Sequence, residues 1–137
     1  MNYIIKIKVI TLFIFFCTLS SSFATDPYDN DLKGKSLICR AESDSIDDWG
    51  IKFLEDQNLK MYSLDKFIYE IFQYKRTYRT NLRNIMIFKD NDVEFSINRK
   101  TLKFGNKNCK ITSKDPRILL ENRIYELKKE KTELNKI

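Results

Sequence analysis

Three cysteines in 137 residues set the frame for this chain, because an N-terminal export signal would remove one and leave an even pair. Cys17 lies in the apolar run Val9–Leu19, behind Lys6 and Lys8 and ahead of Ser20-Ser21-Ser22-Phe23-Ala24. A positive start, a short apolar stretch and a small-x-small ending are the parts of a cleavable signal peptide. Cleavage is expected between Ala24 and Thr25. The run is too short for a membrane anchor, since a spanning helix needs roughly 18–20 apolar residues, and no basic cluster follows it. The bulky Phe15-Phe16 before Cys17 disfavours a lipid anchor there. The organisation expected is a signal peptide over 1–24, a polar leader over 25–35, a β domain over 36–112 and an amphipathic helix over 113–137. The mature chain is expected to be periplasmic or secreted, meeting a membrane only through the signal peptide before its removal.

Cleavage leaves 113 residues, enough for one domain, with Cys39 and Cys109 as the remaining thiols. In an oxidising compartment such a pair reads as a disulfide. Closing a loop of this length stabilises the fold by about 4 kcal/mol in the chain-entropy model. The other reading is two buried free thiols. A catalytic thiol has no support, because the chain holds neither a CxxC nor a histidine.

From residue 36 the pattern is short and alternating. Ser36–Arg40 is a β run, and Trp49, Ile51 and Phe53 alternate with Gly50 and Lys52, as a half-buried strand requires. Glu55–Asn58 reads as a turn into a second arm, Leu59–Leu64, and Phe67–Tyr74 extends the sheet. Ile85–Phe88, the turn Lys89–Asp92 and Val93–Ile97 form the clearest hairpin, with Val93, Phe95 and Ile97 expected on one face. Thr101–Phe104 and Cys109–Ile111 follow, separated by Gly105–Asn108. Short strands spaced by turns point to a mainly β fold: a small antiparallel barrel or sandwich of about seven or eight strands. The ending changes period. Asp115 can cap a helix, Pro116 suits its first turn, and Leu120, Ile124, Leu127 and Leu134 step along one side. That stripe either packs on the sheet and frays or serves association.

Charge is uneven along the chain. The formal net charge is +6, of which Lys6 and Lys8 belong to the signal. Residues 25–65 hold 5 basic and 10 acidic side chains, whereas residues 66–114 hold 12 basic and 4 acidic. Either a basic face serves an anionic partner, or acidic early strands neutralise basic later ones across the sheet. The segment Tyr74, Lys75, Arg76, Tyr78, Arg79, with Arg83 beyond, is the candidate anionic-partner surface, because it interleaves rings with cations. Nucleic acid is not expected as a partner of an exported protein; lipopolysaccharide, acidic glycans or an acidic envelope protein fit the compartment.

Without histidine, and with its cysteines paired, the chain offers no evident zinc or copper site, and no metal or cofactor is expected. No GxSxG, phosphate loop or dinucleotide fingerprint occurs. Glu42, Asp44, Asp47 and Asp48 before Trp49 could in principle serve carboxylate hydrolysis or calcium. Their spacing fits a solvated turn better. Asp90–Glu94 reads as a hairpin turn.

The run Phe95–Phe104 ending in Cys109-Lys110-Ile111, with the Leu37-Ile38-Cys39 opening and Trp49–Phe53, resembles a family of small exported bacterial proteins of unassigned function. The likeness covers roughly 36–111. More distantly, a cysteine on the first strand and another after the last is similar to periplasmic inhibitors of c-type lysozyme. Those are small β-barrels that insert a Ser-Gly-x-x-Tyr loop into the enzyme. No such signature stands here, so no inhibitory residue carries over. The expectation is a monomeric, non-enzymatic binding or interaction module of the envelope. A lipocalin-like carrier with a cavity lined by Phe67, Tyr69, Phe72 and Phe95 is the alternative, and a lysozyme-inhibitor-like protein without the loop signature is another.

Overall fold

The structure, a computed structural model, describes residues 32–136. The signal peptide expected at 1–24 and most of the leader lie outside the described residues. Eight antiparallel strands form one nearly closed, barrel-shaped sheet: β1 (Ser36–Ala41), β2 (Asp48–Phe53), β3 (Asn58–Asp65), β4 (Glu70–Thr80), β5 (Asn84–Lys89), β6 (Asp92–Asn98), β7 (Lys103–Phe104) and β8 (Lys107–Thr112). The C-terminal helix α1 covers Pro116–Leu134. The strand order is β6-β5-β4-β3-β2-β1-β8-β7. The two ends of this order, β6 and β7, approach each other without a ladder, and Phe95 meets Phe104 edge to face at 4.8 Å across that seam. β1 pairs with β8 so that Cys39 stands opposite Cys109, and the two form a disulfide. That bond is compatible with an oxidising compartment.

Alternation decides what fills the barrel. Leu37 and Cys39, Ile51 and Phe53, Leu59 and Met61, Tyr78, Ile85 and Ile87, Ile97, Phe104 and Cys109 point inward and are buried together. Trp49 caps this core, stacked on Tyr74 at 6.0 Å and edge-on to Phe95 and Phe104. A second cluster lies outside the sheet, where Tyr62 and Leu64 meet Leu120, flanked by Ile38, Ile71, Ile124 and Leu127.

α1 begins as its sequence directs. The Asp115 side chain accepts a hydrogen bond from the Arg117 amide at 2.9 Å, with Pro116 in the first turn. Lys52 donates to Asp115 at 2.9 Å and holds its carboxyl below the ordinary carboxylate range. Leu120 is fully buried, Ile124 and Leu127 are half-buried, and Leu134 is exposed. The stripe therefore packs on the sheet at its start and leaves it before the end. Gly50 makes the seat. A Cβ built on it would lie 2.7 Å from Pro116 Cβ and 3.4 Å from Leu120 Cδ1. Gly50→Ala should therefore force the helix off the sheet, at about 1–3 kcal/mol by overpacking. Urea denaturation checks this, and an unchanged midpoint would show that the helix is not seated there.

Two local features depart from the alternation read along the chain. Phe67–Tyr69 are not strand. Asp65 Oδ1 accepts from the amides of Phe67 and Ile68, and Tyr69 has φ +57°, so the chain turns there and β4 starts at Glu70. The Tyr69 ring lies under the ammonium groups of Lys128 and Lys131, at 5.5 and 5.8 Å, which ties this turn to α1. In the β5–β6 hairpin the register shifts, with Ile87 opposite Phe95 but Phe88 opposite Val93. This bulge puts Val93 on the outer face, apart from Phe95 and Ile97, and frees Glu94 from the regular alternation.

Candidate functional site

The interleaved basic segment forms the second half of β4 and the turn after it, and the pleat divides it between two faces. Tyr74, Arg76 and Tyr78 point inward. Tyr74 stacks on Trp49, Tyr78 is buried against Phe53 at 4.9 Å, and Arg76 donates to Glu94 at 2.6 and 3.3 Å while lying 5.4 Å from the Tyr74 ring. The bulge on β6 is what lets Glu94 reach it. Lys75 and Arg79 point outward, and Arg83 sits exposed in the β4–β5 turn, its amide donating to Asn81 Oδ1. The inward face thus keeps both rings and the paired Arg76, and only Lys75, Arg79 and Arg83 remain available to a partner.

What the register builds instead is a row of lysines. Lys52 on β2 stands directly opposite Lys60 on β3, and Lys60 directly opposite Lys75 on β4. Like charges in directly opposed positions destabilise a sheet. Lys52 is relieved by Asp115, and nearby Lys33 by Glu55 at 2.9 Å. The side chains of Lys60 and Lys75 have no hydrogen-bond or ion-pair partner among the described residues. A groove of about 600 Å³ opens beside them, between the Lys33-Gly34 segment and the β2–β3 turn, with Leu54, Lys60 and Lys75 in its lining. Asp56 is the acid in that lining not tied to a lysine. Neutralisation of early acids by later bases thus fails at this face, where bases face one another.

The acids go elsewhere. Asp47 accepts from Ser63 Oγ at 2.9 Å. Asp48, expected in a solvated turn, is 1 % exposed and opens β2. It pairs with Lys66 Nζ at 3.0 Å, accepts from the Ala41 amide at 3.1 Å, and faces Arg123 Nε at 3.8 Å. Arg123 also reaches Glu126 and Glu130 along the helix. This cluster ties the β1–β2 loop, the β3–β4 turn and α1 together, and its carboxylate is committed to structure. Lys107, at the same end of the barrel, sits 5.1 Å from the Phe104 ring, and burial pushes its ammonium below the usual lysine range.

The four aromatics expected around a carrier cavity do not converge. Phe67 and Tyr69 are in the β3–β4 turn, with Phe67 72 % exposed, Phe72 is partly exposed, and Phe95 alone packs into the core. Among the described residues no group of three or more cysteine, aspartate or glutamate side chains is arranged to hold a metal ion. Lys52 and Lys60 belong to no basic run and so escape a reading by charge clusters, although a hairpin turning at Glu55–Asn58 already sets 52 against 60. No family model, curated protein or solved structure matches this chain.

Proposed function

We propose that this protein is an exported, periplasmic, non-enzymatic binding module that takes an anionic partner on the outer face of β2–β4. The observation that carries the reading is the pair of opposed, unneutralised lysines, Lys60 and Lys75, beside an open groove. Holding two like charges face to face lowers stability, and an anion bridging them would reverse that sign. Arg79 continues the same face further along β4. The signal-like first 24 residues, the even cysteine pair and the disulfide support the compartment. A chain without histidine, in which Cys39 is bonded to Cys109 and the buried Asp48 is ion-paired, supports a binding role over catalysis.

The test is capture from envelope extract on the immobilised protein, beside titration with a soluble acidic glycan. Binding should weaken steeply with salt. Lys60→Glu with Lys75→Glu should reduce affinity at least about tenfold, which is about 1.4 kcal/mol. Equal binding by that variant, or binding indifferent to salt, would remove the basic face from consideration.

A further inference from the structure

β4 is longer than the neighbour on either side of it. Its residues Glu70–Thr77 pair with β3, but β5 covers only Thr77–Thr80. From Glu70 to Arg76 one edge of the strand therefore has no ladder partner among the described residues. Which backbone groups face that edge follows from one hydrogen bond. The Tyr78 amide donates to the Gln57 carbonyl at 2.8 Å, toward β3, so the even-numbered residues of β4 turn their backbone groups to β3 and the odd-numbered ones turn theirs away. Ile71, Gln73 and Lys75 consequently aim amide and carbonyl groups at the open edge. The Lys75 carbonyl agrees, since it accepts from Arg76 Nη1 at 2.9 Å instead of from a strand.

We propose that this edge is a strand-addition site for a second copy of the same chain, pairing β4 with β4 antiparallel about a two-fold axis at Gln73. An exposed edge is a template for another strand, and the side chains of this one complement themselves. With Gln73 opposite Gln73, Ile71 falls opposite Lys75, and these three pairs would exchange about six backbone hydrogen bonds. The same register sets Phe72 against Tyr74 of the second copy, twice, on the inner face. Phe72 is 42 % exposed in the single chain, and aromatic cross-strand pairs favour association. Glu70, which has no ion-pair partner among the described residues, falls opposite Arg76 of the second copy, where it would join Glu94 as a second carboxylate on that guanidinium. Shifting the register by two residues in either direction loses both the Glu70–Arg76 match and one hydrogen-bonded pair. The site shares Lys75 and Arg76 with the lining of the lysine groove, and it implies a dimer where the sequence leads one to expect a monomer.

The experiment joins sedimentation velocity to a site-specific crosslink. The purified protein should pass from monomer to dimer between micromolar and sub-millimolar concentration, and Lys60→Glu, which touches only the groove, should leave that transition in place. Gln73→Cys, with the Cys39–Cys109 bond intact, should give a covalent dimer under mild oxidation. Thr77→Cys, on the same face but opposite Phe88 of β5, should not. A protein monomeric throughout overturns the proposal, and so does a dimer in which Gln73→Cys and Thr77→Cys crosslink equally or not at all. A variant that fails to fold is recognised by its circular dichroism and replaced by Phe72→Lys, which keeps the backbone edge but should weaken the dimer at least tenfold.

Discussion

Asp48→Asn is expected to remove about 3–5 kcal/mol of stability, more than any other single polar change in this chain. The substitution keeps the shape and the hydrogen bond from the Ala41 amide, but it leaves the Lys66 ammonium, 5 % exposed, with no counter-charge. Breaking a buried pair from one side costs that much because the surviving charge stays out of water. Lys66→Met alone should cost less, since Asp48 keeps the Ala41 amide and faces Arg123. The double change should recover part of the loss, because it removes both buried charges and Arg123 retains Glu126 and Glu130. Chemical denaturation of the four proteins closes the cycle. A loss below about 1 kcal/mol for Asp48→Asn would mean that water reaches Lys66.

Opening the Cys39–Cys109 bond, by reduction or by replacing both cysteines with serine, is expected to cost about 4 kcal/mol. The bond closes 70 residues of chain, and the unbridged unfolded ensemble regains the corresponding freedom. For a domain of this size the loss corresponds to a fall in Tm of about 15–25 °C. Mass spectrometry without reductant checks the bond itself, and calorimetry of the reduced protein checks its contribution. An unchanged Tm on reduction would place the stabilisation wholly in the sheet and core.

Much of this architecture is legible in the residues. Alternation marks β1, β2, β3, β5 and β6, glycine and asparagine mark the β7–β8 turn, and Asp115-Pro116 marks the start of α1. The losses have physical causes. Phe67–Tyr69 look like strand because aromatic and branched residues favour strands, yet the Asp65 side chain folds the chain back and Tyr69 adopts a backbone that aromatics seldom take. Misplacing that turn hides the β3–β4 register, and with it the facing of Lys60 and Lys75. The same alternation that predicts β4 also sets Lys75 and Arg79 on the face opposite Tyr74, Arg76 and Tyr78, so the segment cannot act as one surface. The bulge at Glu94 adds one residue without any glycine to announce it. Asp48 is buried by Lys66 and Arg123, 18 and 75 residues away, and no local pattern reports such distant partners.

The placement of the disulfide has a consequence for the order in which this sheet assembles. Six of its seven ladders join strands adjacent in sequence, so each can zip from its own turn; the ladder between β1 and β8 alone needs the two ends of the domain to find each other. The bridge spans that one non-local ladder. In the oxidised chain the slow search is already over when folding starts, and what remains is a succession of local hairpins, a topology associated with rapid folding. In the reduced chain that slow search remains. A chain oxidised beforehand would thus start with β1 and β8 already side by side, whereas a reduced chain would form that ladder last.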